Sequence, residues 1–93
     1  MDNFVIKNDG SKEAFDAEKV KNSIRKAAGE AGVTEDRVNE IVEQVTTSVS
    51  ELANQKEEIT AGEIKAKVLS ELDIVEPSVS EAWRKYEQTK ANL

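Results

Sequence analysis

Apolar side chains fall at two kinds of spacing along this chain: a short β-prone run at the start, and four later stretches of helical period. Phe4-Val5-Ile6-Lys7 suits a strand, and Asn8-Asp9-Gly10 suits a tight turn, because Gly10 can take the positive φ that a hairpin loop demands. Lys12 to Phe15 would return. Two registers satisfy this pattern. A two-residue Asp9-Gly10 loop sets Ile6 opposite Glu13, so Phe4, Ile6, Glu13 and Phe15 share a face. A three-residue loop with Gly10 as a bulge sets Lys7 opposite Ser11 and Val5 opposite Glu13, so Val5, Lys7, Glu13 and Phe15 share one. A lone hairpin is marginal in water, so it needs something to pack on.

The remaining apolar positions supply that support. Asp16 is a good N-cap for a helix carrying Val20, Ile24, Ala27, Ala28 and Ala31 as a stripe, with Gly32 as its stop. Thr34 caps a second helix, in which Val38, Ile41, Val42, Val45, Val49 and Leu52 keep the clearest helical period in the chain. After a polar connector at Asn54 to Glu58, Thr60 and Glu63 form a capping box with Ile59 and Ile64 as its hydrophobic staple. Ile64, Val68, Leu69 and Leu72 then face inward. Asp73 to Pro77 reads as a break, since proline disfavours helix in the residue before it. Ser78 with Glu81 suggests a second capping box, ahead of Val79, Ala82, Trp83 and Tyr86. The predicted elements are a hairpin over about 3–15 and helices over about 17–31, 35–54, 61–72 and 79–90. The class is therefore mainly α, an N-terminal β-hairpin packed on a small four-helix bundle.

Composition narrows what such a bundle can do. With 93 residues there is one core, covering only about 60–65% of the surface that the unfolded chain exposes. Neither cysteine nor histidine occurs, which excludes disulfides, zinc ribbons, thiol chemistry and the usual triads. A net charge of −6 argues against direct nucleic-acid binding and against an acidic membrane surface. No leader pattern or membrane span is visible, so a cytoplasmic location is expected.

Against this acidic background Lys7, Lys12, Lys19 and Lys21 gather in the first quarter of the chain. Such lysines are usually solvated charge; alternatively, with free backbone N–H groups, they make an anion site. Glu13 and Asp16 resemble an acid–base pair, yet carboxylates beside lysines are more often ion-paired, and no nucleophile or metal set accompanies them. No catalytic and no metal-binding residues are expected. Trp83 and Tyr86 fit core packing better than base stacking.

Val5-Ile6-Lys7-Asn8-Asp9-Gly10, then Glu13, Phe15-Asp16 and Lys19-Val20, and later Ile59-Thr60 with Glu63-Ile64, resemble the ATP-cone. This is the nucleotide-binding regulatory domain of ribonucleotide reductase large subunits and of the repressor of their genes. The family form of the hairpin is close to V-x-K-R-D-G-x-x-E-x-F-D-x-x-K-[IV]. The resemblance implies a non-catalytic module in which the hairpin is a lid over ATP or dATP, with or without Mg2+. Lys7, Asn8, Glu13, Phe15, Asp16 and Lys19 would line the nucleotide: Lys7 and Lys19 toward phosphates, Glu13 and Asp16 toward base or ribose. Thr60 and Ala61 would add backbone donors from a helix N-terminus, and Lys65 a further phosphate partner. Asn8 stands where the family usually has Arg, and Ala61 where a threonine is common. Lys65 replaces an acidic residue or histidine. A lid needs Lys7 and Glu13 on one face, which selects the three-residue turn. The implied partners are nucleotide and a second copy or a parent or partner protein. The rival reading is a protein-interaction domain that keeps the fold without the nucleotide.

Overall fold

The computed structural model describes residues 4–7 and 9–91. In chain order the elements are β1 (Phe4–Ile6), β2 (Lys12–Ala14), α1 (Ala17–Glu30), α2 (Glu35–Asn54), β3 (Glu58–Thr60), α3 (Ala61–Val75) and α4 (Pro77–Ala91). The class is the expected one, a small sheet on four helices. None of those helices, over the described residues, is long and apolar enough to cross a membrane.

In the hairpin Val5 lies opposite Glu13, Phe4 opposite Ala14 and Ile6 opposite Lys12. The Lys7 amide donates to the Ser11 carbonyl at 2.9 Å and the Gly10 amide to the Lys7 carbonyl at 2.9 Å, with Gly10 at φ +87°. This is the three-residue register. Asp9 fixes the turn, its Oδ1 accepting from the Ser11 amide at 2.9 Å and the Ser11 hydroxyl at 2.6 Å. Asn3 and Asn8, both within the expected hairpin, lie outside the described residues.

The hairpin is not the only β-structure. β3 runs parallel to β1 with Val5 opposite Ile59, giving a three-stranded sheet in the order β2-β1-β3. The sequence reads here as a polar connector because only Ile59 turns inward, 1% exposed between exposed Glu58 and Thr60. A parallel pairing needs a long crossover, and α1 with α2 supplies it. β3 then passes directly into the Thr60–Glu63 capping box of α3, in which both reciprocal bonds are present.

The helices form a ring, each packed on its chain neighbours and α4 closing back on α1. Val20, Ile24, Ala27 and Ala28 of α1 meet Ile41, Val42, Val45 and Val49 of α2, Val68 and Leu72 of α3, and Val79 and Trp83 of α4 in one core. Gly32, at φ +76°, ends α1: its amide bonds to the Gly29 carbonyl at 3.2 Å and the Val33 amide to Ala28 at 3.1 Å, a Schellman stop. Thr34 begins α2 without a side-chain capping bond.

The α3–α4 corner is tighter than the sequence suggests. α3 continues to Val75, and α4 starts at Pro77, so the break is Glu76 alone. Proline is tolerated in a first helical turn, where its missing N–H would have had no partner. The Glu76 carbonyl accepts from Val79 at 3.0 Å and Ser80 at 3.3 Å, which places Ser78 inside the helix and removes it as the cap. Arg37 of α2 closes the corner, donating to the Val75 carbonyl at 2.9 Å and to Glu76 Oε1 at 3.3 Å. Arg84, buried Ser80 and Asp73 tie α4 to α3 beside it.

Candidate functional site

A cleft of about 530 Å³ lies between the hairpin, the N-terminal halves of α1 and α3, and Trp83 of α4. That is within the usual range for a small-molecule site. The register decides what faces it: Val5, Lys7 and Glu13 all contribute, the set that a three-residue turn puts on one side. Phe15 and Asp16 line it where the chain enters α1, followed by Lys19 one turn later. Across the cleft, Ala61 and Lys65 come from the first turns of α3.

Glu13 organises the charges. Its Oε1 lies 2.6 Å from Lys19 Nζ and its Oε2 lies 3.1 Å from Lys7 Nζ, so one carboxylate spans both strands of the hairpin and α1. The Lys19 and then the Lys7 ammonium hold the Glu13 carboxyl below its ordinary range, and Glu13 in turn raises Lys19. The lysine cluster of the first quarter is thereby divided. Lys7 and Lys19 serve the cleft, whereas Lys12 pairs with Glu58 of β3 at 2.5 Å and Lys21 with Glu18 at 3.7 Å. Asp16 spends one oxygen on capping α1, accepting from the Glu18 amide at 2.9 Å. Asp9, at the turn, is held low by its Ser11 hydrogen bonds.

The inner wall is apolar. Val20, Ile64, Val68 and Trp83 line it, and Trp83 is only 4% exposed. The indole Nε1 donates to Ser23 Oγ at 3.2 Å, and Ser23 Oγ donates to the Val20 carbonyl at 2.9 Å. Trp83 is therefore core and cleft wall together, a possibility hidden by treating packing and ligand contact as alternatives. Tyr86 is elsewhere, with Lys26 Nζ 5.6 Å above its ring and no part in the lining.

Of the residues singled out in the sequence, Lys7, Glu13, Phe15, Asp16, Lys19, Ala61 and Lys65 surround this one cleft. Thr60 does not line it. Its hydroxyl accepts from the Glu63 amide at 3.1 Å, while the Glu63 carboxylate accepts from the Thr60 amide at 3.1 Å. That spends the Thr60 N–H which was expected to face a ligand. Asn8 is outside the described residues. Sequence reasoning missed Val5, Val20, Ser23, Ile64, Val68 and Trp83 as cleft residues. The available signal was their place in the apolar stripes, which marks burial but not which buried side chains border a cavity.

The family model described as the ATP cone domain matches residues 3–91. The chain is 33% identical over 72 residues to the transcriptional repressor NrdR of Petrotoga mobilis, covering 77% of this chain and 47% of the relative. It is 32% identical over 72 residues to the transcriptional repressor NrdR of Rhodopirellula baltica, covering 76% of this chain and 46% of the relative. The chain thus matches a little under half the length of these curated relatives. They overturn one expectation, that direct nucleic-acid binding is excluded: both relatives are transcriptional repressors, which act on DNA. A net charge of −6 is a sum over the whole chain and does not by itself exclude nucleic-acid contact through a local group of Lys and Arg. With the match running over the hairpin, all four helices and every described residue of the cleft, this chain belongs to the ATP-cone domain family.

Proposed function

We propose that the chain is a non-catalytic regulatory module that binds ATP or dATP in the cleft beneath the hairpin. One observation carries this reading: Lys7, Lys19 and Lys65, far apart in sequence, border a single cleft that the apolar Trp83, Val20 and Val68 also line. Cationic and apolar lining in one cleft match the two halves of a nucleotide, charged phosphates and a stackable base. Phosphates would lie toward the lysines, with Glu13 or the free oxygen of Asp16 accepting from base or ribose. Ala61, at the start of α3, borders the cleft where the helix dipole favours an anion. Among the described residues no cluster of three acidic side chains is placed to hold a metal. Magnesium would accordingly arrive on the phosphates.

Regulation requires that nucleotide favour one assembly over another, and a ligand shifts such an equilibrium only by its differential affinity for the two states. The module would thus alter contacts with a second copy or with a parent or partner protein. A second reading, a protein-interaction domain without nucleotide, is favoured by one observation, that Glu13 already satisfies both Lys7 and Lys19. Isothermal titration with ATP and with dATP, each with magnesium, separates the two. Saturable heat with a matching rise in melting temperature is expected. Neither heat nor thermal shift at millimolar nucleotide would leave only the interaction reading.

A further inference from the structure

We infer that Glu13 is a built-in anion: it bridges the Lys7–Lys19 pair, and a phosphate-bearing ligand enters by replacing it. This deepens the nucleotide reading and rests on it for the identity of the natural ligand. The geometry is that of a bound anion with its two cations. The Glu13 carboxylate presents one oxygen to Lys19 at 2.6 Å and the other to Lys7 at 3.1 Å, much as a phosphate would present two of its oxygens. The three groups come from β2, from the end of β1 and from α1, so the contact also fastens the hairpin to the helix.

The charges facing this contact are Asp9 from the turn, Asp16 at the start of α1 and Lys65 from α3. With Glu13 they make three acids and three lysines on the cleft wall, a balanced set before any ligand arrives. A polyphosphate brings several negative charges into that set. It cannot share the two ammonium groups with Glu13 at contact distance without strong like-charge repulsion, so the carboxylate must swing aside. The released carboxylate is then an acceptor at the cleft, which gives it a use toward a nucleoside and none toward a bare phosphate chain. Glu13 therefore weakens binding of phosphate alone and offsets that cost only when a hydrogen-bond donor accompanies it. Selectivity for a nucleotide over free polyphosphate follows.

The test is calorimetric titration of the wild-type chain and of Glu13→Gln with inorganic tripolyphosphate, and with ATP in parallel, at low salt. Glu13→Gln keeps the shape and removes the charge. Because the contact is solvent-exposed, the variant should keep the fold, as a matching circular-dichroism melt would establish. Tripolyphosphate is expected to bind Glu13→Gln about tenfold more tightly than wild type, the order expected when two exposed ion pairs no longer have to be broken. In wild type the carbon resonance of the Glu13 carboxyl should move on saturation with tripolyphosphate. Equal or weaker tripolyphosphate binding by Glu13→Gln overturns the inference even where ATP binds wild type. Saturation with no change at the Glu13 resonance overturns it as well. Tight tripolyphosphate binding by Glu13→Gln with no ATP binding by wild type supports the built-in anion and removes the nucleotide reading. No binding by either chain removes both.

Discussion

Replacing Lys7 and Lys19 together by methionine should cost the domain little stability and most of its nucleotide affinity, and the structure sets both magnitudes. The side chains of Lys7 and Lys19 are 51% and 66% exposed, and that of their shared partner Glu13 is 34% exposed. Exposed ion pairs contribute about 0–1 kcal/mol each, so the free variant should melt close to wild type. Binding is different. A charge-assisted hydrogen bond to a phosphate contributes about 1.5–3 kcal/mol. Releasing each lysine from Glu13 takes back up to about 1 kcal/mol. With that full cost taken off, the net is about 0.5–2 kcal/mol per lysine, or about 1–4 kcal/mol for both, before counting Glu13, which the variant leaves in the cleft as an uncompensated negative charge. At 1.4 kcal/mol per factor of ten, Kd for ATP should rise by about 5- to 700-fold. Titration calorimetry measures this directly, with urea denaturation of the free chains as the control for folding. The wild-type affinity should also fall with added salt, whereas the variant's residual affinity should respond less. A double variant that folds normally and binds ATP within about threefold of wild type would show that phosphates do not meet these lysines.

Four further outcomes follow from particular contacts. Thr60→Ala removes the hydroxyl that accepts from the Glu63 amide, leaves the reciprocal backbone bond to the Glu63 carboxylate, and should destabilise by about 1 kcal/mol in urea. Because the Thr60 side chain is turned to Glu63 and away from the cleft, ATP affinity should stay within about twofold, and a larger loss would contradict the assignment. Gly10→Ala places a Cβ where nothing lies within 4 Å, so its cost is the backbone at φ +87° alone, about 1–2 kcal/mol by denaturation. Trp83 is the sole tryptophan and lines the cleft, so its fluorescence should change saturably with nucleotide and follow the calorimetric isotherm. Glu13, Glu63 and Asp73 are held below their ordinary values of 4.5, 4.5 and 3.8, by Lys19 with Lys7, by Lys56 with the Thr60 amide, and by Ser80 with Arg84. The unfolded chain then binds more protons in acid, so stability is fully present above about pH 4.5 and falls on acidification. Lys19 is raised above 10.5, so its share is present below that pH and lost as alkali titrates the folded form. Glu13→Gln should flatten the acid limb and remove the Lys19 share of the alkaline one; an unchanged acid limb would refute the assignment.

The elements most legible in the sequence are those whose signal is local. The stripe Val38, Ile41, Val42, Val45, Val49 and Leu52 yields α2 because a helix repeats its burial every three to four residues, and the structure buries the middle four. Asn8-Asp9-Gly10 marks the turn, but the local pattern allows two registers, and choosing between them takes the requirement that Lys7 and Glu13 share a face. β3 is illegible for the opposite reason. Three residues with one inward side chain carry no period, and that strand exists because β1 offers it a partner more than fifty residues upstream. The corner at Glu76 is shorter than the Asp73–Pro77 break read from the sequence because proline disfavours helix only in the residue before it and permits helix from its own position onward. The cleft's polar side chains were legible as a charge cluster on a turn and a helix start. Its apolar wall was not, since Trp83 and Val68 follow the same stripe whether they border a cavity or not.

β3 also changes what kind of lid the hairpin can be. A two-stranded hairpin resting on helices could swing as a flap about Phe15, where it joins α1. Here β1 is the central strand, bonded to β2 on one side and to β3 on the other, and the Phe4 amide donates to the Glu57 carbonyl at 3.0 Å. Swinging the hairpin away would break the β1–β3 ladder and uncover Ile59, which is almost fully buried. Each ladder bond contributes about 0.5–1.5 kcal/mol and the isoleucine about 1.5–3 kcal/mol. Their sum is a large share of the roughly 5–14 kcal/mol that holds a domain of this size together. Opening by that route amounts to partial unfolding. The movable parts are instead the side chains of Lys7, Glu13 and Lys19 and the turn beyond Ile6 and Lys12, all exposed or half-exposed and outside the core. Ligand entry should therefore leave hydrogen exchange at Val5 and Ile59 unchanged while slowing it at Lys7 and Gly10. Faster exchange at Val5 and Ile59 on nucleotide binding would restore the swinging flap.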